Sequence, residues 1–376
     1  MSESKNTTPL KLAMVLDTYD DARNGAVIST QRFTKLLREN GNEVIVVSTG
    51  KEESGKVVLK EFYPPIPIVR GVMERMKFIF AWPDKQKLKE VISNVDLVHS
   101  HFTFILAFQT IKIAKQLNKP IVSTFHVQAE QIANNVGLTS PWIISFIYKI
   151  FIKFFYNKSD LVICPSQFAS DEIKRYGCTA STVVISNGVT EEYQEKNLEK
   201  HQRFTILTVG RNAAEKRQEI LIQAVANSKH KDKIDIQIIG DGPKRQNLEN
   251  LANQLLPGQV EFNYLPTQQV IDYYNKAHLY VHCAAVEVEC MTVTEAMACG
   301  LPIIIAESEL SATKQFALNQ DYLFKTVAEL TSKIDYLFEN RNILEEAKVA
   351  YLKKVEQYKI KNSYLKLVEA YKSVIK

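Results

Sequence analysis

Short runs rich in valine and isoleucine alternate with longer segments of helical periodicity along the whole chain. The runs are apolar on both faces, which is typical of strands buried on both sides in a parallel sheet. Their alternation with helical segments predicts an α/β architecture with helices on both faces of each sheet. The predicted strands are Lys11–Asp17, Glu43–Thr49, Leu97–His101, Pro120–His126, Leu161–Pro165, Thr182–Ser186, Phe204–Val209, Ile234–Gly240, Val260–Tyr264, Leu279–Ala284 and Pro302–Ala306.

The number of predicted strands favours two sheets, because a single sheet of about eleven strands would be unusually wide. The segment Thr190–Arg203 is charged and has no apolar periodicity, so it is predicted to link the two sheets. The predicted domains are residues 1–190 and 191–357. The last segment, Leu344–Lys376, is predicted to be helical, and its end, about 358–376, is expected to pack back onto the first domain.

Composition places the chain among ordinary globular proteins. Of its 376 residues, 45% are apolar and 24% are charged, which excludes disorder. A net charge of +5 without a nucleic-acid motif gives no support for nucleic-acid binding. The polar N-terminus and the lack of any run of 18 uncharged apolar residues predict a cytoplasmic protein without a spanning helix.

Five cysteines at irregular spacing indicate neither a disulfide framework nor a zinc ribbon. An odd number of thiols without any C-x-x-C pair fits a reduced, cytosolic protein. Cys283, Cys290 and Cys299 have apolar neighbours and are predicted to be packing residues.

Two glutamates, Glu287 and Glu295, lie eight residues apart between a predicted strand and a helix expected over Thr294–Cys299. The start of a helix offers unpaired backbone N–H groups that bind anions, and a carboxylate beside it can accept hydrogen bonds from sugar hydroxyls. The N–H groups expected there are those of Met291, Thr292 and Val293. The alternative is a pair of surface or capping glutamates, but the apolar strand and the helix of small residues favour a site.

Two cations follow the strand Phe204–Val209 directly. Arg211 and Lys216 lie where ligands bind in doubly wound sheets, beyond the carboxyl ends of the strands. Two fixed positive charges suit a diphosphate leaving group, whose negative charge grows in the transition state. The alternative is a solvated basic loop.

Weaker candidates lie in the first half of the chain. Gly25 and Ala26 follow the first strand and would let the backbone approach a phosphate or a sugar. His126 ends another predicted strand, at the mouth of the expected cleft. His99 and His101 are two residues apart and so share a face, but no third ligand accompanies them, which favours structural or acceptor-side roles over a metal site.

Together these motifs resemble the retaining GT-B glycosyltransferases of family 4 over nearly the full chain. This resemblance implies two Rossmann-like domains that face a central cleft. It also implies a nucleotide-sugar substrate, with neither a bound metal nor another cofactor. The matching motifs, in chain order, are Asn187-Gly188-Val189, R-x4-K at Arg211 and Lys216, Gly240-Asp241-Gly242-Pro243, and E-x7-E at Glu287 and Glu295.

The resemblance also implies residue roles. Glu287 would contact the hydroxyls of the donor sugar and Glu295 the ribose. Arg211 and Lys216 would neutralise the departing diphosphate, while Gly25 would lie near that diphosphate and His126 near the transferred sugar. The family is expected to form α-linkages by front-face attack. One departure concerns the glycines that usually follow the first glutamate: this chain has Val288-Glu289-Cys290, which leaves open whether Glu289 shares the role of Glu287.

The acceptor is indicated by two basic, aromatic segments, Trp142–Lys158 and Ile66–Lys89. Such segments suit an anionic membrane surface, although a buried helix with a solvated charge run is the alternative. The run HVQAEQIANNVGL and the basic helix after it are similar to bacterial diacylglycerol glucosyltransferases. We therefore expect a hexosyltransferase, peripheral on the inner face of the cell membrane, that moves glucose from UDP-glucose to a lipid such as diacylglycerol.

Three alternatives stay open at this point. The chain could serve capsule or exopolysaccharide synthesis with a polyprenyl-linked acceptor. It could be a non-catalytic glycosyltransferase-like partner, although two aligned cations and two carboxylates argue against a site that has lost its activity. A nucleotide-sugar epimerase on the same fold would form product without any acceptor.

Overall fold

The computed structural model describes residues 9–21, 24–65, 70–71, 73–74 and 78–375. The chain divides into two compact units, which we describe separately. Unit 1 comprises Met1–Ile185 together with Tyr364–Lys376, and unit 2 comprises Ser186–Ser363. The domain limits predicted at residues 190 and 357 remain predictions.

Both units contain strands and helices in alternation. The strands are β1 (Lys11–Val15), β2 (Glu43–Ser48), β3 (Lys56–Val58), β4 (Glu61–Phe62), β5 (Phe80–Ala81), β6 (Leu97–Ser100), β7 (Ile121–Thr124), β8 (Leu161–Cys164), β9 (Thr182–Val184), β10 (Phe204–Val209), β11 (Ile234–Ile239), β12 (Val260–Asn263), β13 (Leu279–His282), β14 (Ile303–Ala306) and β15 (Leu323–Phe324). The helices are α1 (Gly25–Glu39), α2 (Lys85–Ser93), α3 (Ile105–Gln116), α4 (Ala129–Val136), α5 (Pro141–Phe154), α6 (Gln167–Arg175), α7 (Glu219–Ala226), α8 (Arg245–Leu255), α9 (Thr267–Lys276), α10 (Met291–Ala298), α11 (Val327–Glu339), α12 (Arg341–Val355) and α13 (Ile360–Val374).

Each unit is built on one parallel sheet. The strand order is β3-β2-β1-β6-β7-β8-β9 in unit 1 and β12-β11-β10-β13-β14-β15 in unit 2, and β4 and β5 form a separate antiparallel pair. In each sheet the order reverses once, between β1 and β6 and between β10 and β13. Ligands of doubly wound sheets bind beyond the carboxyl ends of the strands at such a reversal. The loops after these four strands are therefore where a site is expected.

The central strands are buried on both faces, which explains their valine- and isoleucine-rich composition. In β14, Ile303 and Ile305 enter one core of unit 2 and Ile304 enters the other, and all three are fully buried. Burying a side chain of this size stabilises the fold by about 1.5–3 kcal/mol. Because both faces are covered, the strand shows a continuous apolar run rather than an alternating pattern.

The structure contains all eleven predicted strands, most of them one to three residues shorter than predicted. The short strands β3, β4, β5 and β15 were not predicted, because two or three residues carry too little periodic signal. Thr190–Arg203 contains neither helix nor strand.

The C-terminal segment is helical as predicted, except for an interruption between α12 and α13. Val189 donates its N–H to the carbonyl of Tyr358 at 2.9 Å and accepts from the N–H of Ile360 at 2.9 Å. This pairing requires extended backbone at Lys359, which a helix cannot provide. Gly188 allows it, since a Cβ there would lie 2.7 Å from the Cα of Ile360.

Candidate active site

The loops after β10 and β11 pack so closely that two positions require glycine. A Cβ on Gly240 would lie 1.9 Å from the carbonyl oxygen of Gly210, and one on Gly242 would lie 2.4 Å from that of Asn212. Gly240 has a φ of 146°, a conformation that glycine adopts without steric cost. The Gly-Asp-Gly-Pro turn thus supports the loop that carries the half-buried Arg211.

The loop after β10 is also tied to the loop after β13. Arg217 adopts a left-handed backbone with a φ of 49°, and its Nε donates to the carbonyl of Cys283 at 3.0 Å. The N–H of Ala285 donates to the carbonyl of Glu215 at 2.9 Å. These contacts bridge the two loops at the strand-order reversal of unit 2 and place Lys216 against the second loop.

Lys216 and Glu287 form a hydrogen-bonded ion pair at this reversal. The side chains are only 22% and 10% exposed. Burial alone would raise the pKa of Glu287, but Lys216 and His282 outweigh it and lower this pKa to about 2. Burial opposes the charge on Lys216 as well, and Glu287 outweighs it, so the pKa of Lys216 lies above its usual value. Both groups are therefore charged at neutral pH.

His282, the last residue of β13, borders this pair and was missed by the sequence analysis, which counted it as an ordinary strand residue. Its side chain is buried, with Nε2 3.4 Å from Oε1 of Glu287 and Nδ1 3.8 Å from Sγ of Cys290. Burial alone would lower the pKa of His282, but Cys290 and Glu287 outweigh it and raise this pKa to about 9. The available signal was its place near the end of the predicted strand Leu279–Ala284, two residues before that end.

Helix α10 begins at Met291, three residues earlier than predicted. Burial of Val293 in the core stabilises this earlier start, although β-branched residues lower helix propensity. The N–H groups of Met291, Thr292 and Val293 thus belong to the first turn, where no intrahelical acceptor is available. Gly300 follows the helix with a φ of 67°, as expected for a helix end.

Glu295 was expected at the helix start and lies instead in the second turn of α10. Its buried carboxylate accepts a hydrogen bond from the hydroxyl of Tyr274 at 3.2 Å. The structure therefore joins Lys216 directly to Glu287, while Glu295 occupies a separate position further along the helix.

Glu289 differs from Glu287 in its contacts. Its Oε2 accepts hydrogen bonds from the backbone N–H of Asn187 at 2.8 Å and from Nδ2 of the same residue at 2.6 Å. Burial raises the pKa of Glu289 to about 7, against the opposing hydrogen bonds from Ser186 and Asn187. Glu289 thus holds the Asn187-Gly188 turn.

The cysteines fall into two groups. Cys283 and Cys299 are core residues as predicted, and burial raises the pKa of each to about 12. Cys290 is half-buried and packs against the core of unit 2, as predicted, and its Sγ also faces His282. Its backbone has a φ of 113°, so the chain keeps a glycine-like conformation although glycine is absent.

In unit 1, Gly25 and Ala26 are the first two residues of α1 rather than part of the preceding loop. The side chain of Asn24 caps this helix and accepts from the N–H of Ala26 at 3.0 Å. Asparagine is a preferred residue at this position because its side chain satisfies an otherwise unpaired N–H.

Three histidines cluster at the carboxyl ends of β6 and β7, although no third partner was predicted for His99 and His101. His126 Nε2 lies 3.2 Å from His101 Nδ1, and the rings of His99 and His101 have centroids 4.0 Å apart. Both nitrogens of His99 bond hydroxyls at 2.7 Å, those of Tyr371 and Thr124, so His99 is structural. Burial lowers the pKa of His99 and of His126 to about 3, which leaves both neutral.

Helix α5 has one buried and one exposed aromatic face. Tyr148, Phe151 and Ile152 are buried, whereas Trp142 is 71% and Phe146 57% exposed. The exposed lysines Lys149 and Lys153 lie on the same helix. Phe154 is also exposed and contacts the exposed Phe108 of α3, with centroids 6.3 Å apart. We call Phe108, Trp142, Phe146, Lys149, Lys153 and Phe154 the α5 surface.

The second basic segment, Ile66–Lys89, falls partly outside the described residues, and its Arg75, Met76 and Lys77 are among those not described. Met73 is buried, and Phe78 and Phe80 pack against the ring of Phe104 at 5.4 and 4.8 Å. None of the helices in the described part of the chain combines the length and the apolar character that crossing a membrane requires.

Comparison with known families matches both halves of the chain. Residues 23–193 match the model described as Glycosyltransferase Family 4, and residues 189–354 match that of Glycosyl transferases group 1. Together the two matches cover all strands of both parallel sheets except β1, and the loops that carry Arg211, Lys216 and Glu287.

Individual proteins agree with this assignment. The chain is 24% identical over 320 residues to the alpha-monoglucosyldiacylglycerol synthase of Streptococcus pneumoniae, covering 78% of this chain and 70% of that protein. It is 24% identical over 314 residues to the GDP-mannose-dependent alpha-mannosyltransferase of Corynebacterium glutamicum, covering 79% and 72%. The Anabaena HepE structure, solved with UDP and glucose, superposes with a TM-score of 0.78 at 16% identity, covering 97% of this chain and 100% of that one. The chain therefore belongs to glycosyltransferase family 4 and is a glycosyltransferase of the GT-B fold.

Proposed function

We propose that this glycosyltransferase moves a hexose, with glucose from UDP-glucose as the first candidate, to a membrane lipid such as diacylglycerol, and that it forms an α-glycoside with retention of configuration. The observation that carries the proposal is the buried Lys216–Glu287 ion pair at the strand-order reversal of unit 2. Paired opposite charges fixed at this position fit a ligand that has both anionic phosphates and hydroxyl groups.

The donor would bind over the loops after β10 and β13. In this proposal Arg211 and Lys216 contact the diphosphate, and Glu287 accepts hydrogen bonds from sugar hydroxyls. The N–H groups that begin α10 at Met291, Thr292 and Val293 add further donors for an anion. Glu295, held by Tyr274, is assigned to the ribose.

The chemistry follows from the fixed charges. Glu287 holds Lys216 protonated, so the ammonium group stabilises the negative charge that develops on the leaving diphosphate. The acceptor hydroxyl attacks the same face of the sugar, and its proton passes to the departing phosphate oxygen. This route needs no enzyme nucleophile and no metal. His126, being neutral, would bind a sugar hydroxyl by hydrogen bonding rather than act as an acid.

The α5 surface supports a lipid acceptor. Exposed aromatic side chains flanked by lysines are typical of helices that lie in the interface of an anionic bilayer. The pneumococcal relative is named for a diacylglycerol glycolipid, which favours the same acceptor class here. We therefore propose peripheral attachment to the cell membrane through this surface.

Two specific observations favour alternatives that the experiment must separate. The corynebacterial relative is named for GDP-mannose, so the nucleotide and the sugar must be tested together. The α5 surface would equally serve a polyprenyl-linked acceptor of capsule or exopolysaccharide synthesis. A non-catalytic partner protein would show neither transfer nor hydrolysis of the donor.

The test is incubation of the protein with UDP-glucose, other UDP-hexoses or GDP-mannose, each with anionic vesicles that contain diacylglycerol or a polyprenyl phosphate. Mass spectrometry identifies the glycolipid, and the proton coupling at its anomeric carbon gives the configuration. We expect an α-glucosyl diacylglycerol from UDP-glucose. A β-linked product, or transfer only to the polyprenyl acceptor, would contradict the proposal.

A further inference from the structure

We propose that His282, Glu287 and Cys290 bind a divalent cation of the zinc class, and that this cation inhibits the enzyme by occupying the donor site. One ligand atom from each of the three residues lies within 4.8 Å of the other two. The set comprises a nitrogen, an oxygen and a sulfur, which zinc and similar borderline-soft cations accept together. Magnesium and calcium prefer oxygen ligands alone and are not expected to bind here.

The distances fit such an ion with little rearrangement. Zinc binds nitrogen and oxygen at about 2.0–2.2 Å and sulfur at about 2.3 Å, so tetrahedral ligands lie about 3.3–3.6 Å apart. His282 Nε2 lies 3.4 Å from Oε1 of Glu287. One ligand atom of each residue lies within 4.8 Å of the others, so Cys290 Sγ would have to move by about 1 Å to complete the site. A three-residue site of this kind leaves a fourth position for water.

The position of His282 supports this assignment. Its buried Nε2 faces Oε1 of Glu287 across 3.4 Å and makes no closer polar contact. Buried polar atoms are usually held by a close partner, and this separation leaves room for an ion between the two atoms. A cation bound by both atoms would replace the proton that His282 otherwise carries between them.

The backbone fixes the third ligand. Cys290 precedes α10 with a φ of 113°, and this conformation directs Sγ back toward the end of β13. Because Cys290 is only half-buried, ions in solution can reach the thiol. Binding removes one proton from the Cys290 thiol and one from the His282 imidazolium, and both protons are released to the solvent.

Inhibition is expected because the cation and Lys216 would both bind the same oxygen atom of Glu287. Oε1 of Glu287 contacts Lys216 and is also the oxygen nearest to His282. A bound cation would therefore compete with Lys216 for this carboxylate and would block its contact with the donor sugar. The inhibitory consequence rests on the proposed function, whereas the binding of the cation does not.

The experiment uses Co2+ as a spectroscopic probe for the full-length protein. We expect one equivalent of Co2+ to produce a thiolate-to-cobalt charge-transfer absorption that Zn2+ abolishes. Cys290→Ala should lose this absorption, and Cys290→Gly, which suits the positive φ, provides a second variant should the alanine variant fold poorly. Cys299→Ala, in the core, should keep it.

Donor turnover provides the second measurement. We expect Zn2+ to inhibit the wild type and the Cys290 variants to need at least about tenfold more Zn2+ for the same inhibition. If the wild type lacks the cobalt absorption, or if the Cys290 variants keep it, the proposed metal site is wrong. Equal zinc sensitivity in all proteins would overturn the inhibitory role. A cobalt absorption in a protein that uses no nucleotide sugar would support the site and contradict the proposed function.

Discussion

The polar groups at the strand ends of the two units differ in charge. In unit 2 they are ionised and paired, as in Lys216 and Glu287 beside His282. In unit 1 they are neutral, as in the buried cluster of His99, His101 and His126, whose pKa values burial lowers. Buried charges are tolerated only when they are paired and hydrogen-bonded. Unit 2 meets this condition with an ion pair, whereas the buried histidines of unit 1 stay uncharged.

This difference teaches which ligand each unit suits. Fixed charges that are already desolvated and paired can bind a charged nucleotide sugar without further reorganisation. A neutral histidine cluster offers hydrogen bonds without charge, which suits an uncharged sugar or lipid headgroup. The α5 surface of unit 1 adds exposed aromatic side chains and lysines, which suit a bilayer.

The largest expected effect comes from removing one charge of the pair. Glu287→Gln and Lys216→Met should each lower kcat by at least about 100-fold, because a preorganised charge contact to the transition state is lost. Lys216→Met should also weaken binding of UDP alone, whereas Glu287→Gln should not, because Glu287 is assigned to the sugar. Steady-state kinetics and calorimetric titration with UDP measure both effects.

The control for this pair is Lys325→Met, since the exposed Lys325 forms an ion pair with the half-buried Glu307 at 3.6 Å. Its kcat should equal that of the wild type. Because a buried charge left without its partner can destabilise the fold by about 3–5 kcal/mol, circular dichroism must show that the variants are folded. Folded variants with normal kcat would refute the site.

The second effect concerns the α5 surface. Replacing Lys149 and Lys153 together by glutamine should weaken binding to anionic vesicles by about thirtyfold, because each lysine near such a surface contributes about 1 kcal/mol. Vesicle co-sedimentation measures the affinity. The matched control replaces Lys231 and Lys233 of unit 2, which are also exposed. Equal losses in both double variants would show that only net charge matters.

The third effect concerns the neutral cluster of unit 1. Burial in the folded protein lowers the pKa of His99 from its usual 6.5 to about 3, so between these pH values His99 binds the proton in the unfolded chain but not in the folded one. Stability must therefore fall as the pH drops from 7 to 5, by about 2 kcal/mol for this residue. His99→Gln should remove that part of the pH dependence in urea unfolding. An unchanged pH dependence would mean that His99 is protonated in the folded state.

The smallest effect concerns the strained loop of unit 2. A non-glycine residue at a φ of 113° lowers the stability of the folded state by about 1–3 kcal/mol. Glycine relieves this strain, but its greater freedom in the unfolded chain lowers the stability by about 0.5–1 kcal/mol. Cys290→Gly should therefore raise the free energy of unfolding by about 1 kcal/mol. Cys299→Gly, at a φ of −83°, should lower it instead. A lower urea midpoint for Cys290→Gly would contradict the assigned strain.

Much of the fold could be predicted because buried parallel strands leave a strong apolar signal. The runs that form β1, β2 and β6 to β14 were recognisable for this reason, and the loop positions of Arg211, Lys216 and Glu287 followed from the strand ends. The interruption before α13 was not predictable, since it depends on the pairing of Lys359 with Val189, which is distant in sequence.

The remaining parts of the site depend on tertiary contacts. Glu289 binds Asn187 across 102 positions of sequence, and no local pattern signals such a contact. His282 and Cys290 approach each other only because Cys290 adopts a positive φ, which its residue type does not predict. The sequence therefore predicted the loops that carry the candidate residues but not which side chains share a hydrogen bond there.

The most direct test of a donor site in unit 2 and an acceptor surface in unit 1 is hydrogen–deuterium exchange with each ligand alone. UDP-glucose should slow exchange in the segments 210–217 and 283–295 and leave 141–154 unchanged. Anionic vesicles with diacylglycerol should slow exchange in 141–154 and leave the unit 2 segments unchanged. Protection of 141–154 by UDP-glucose without protection of 283–295 would contradict the account.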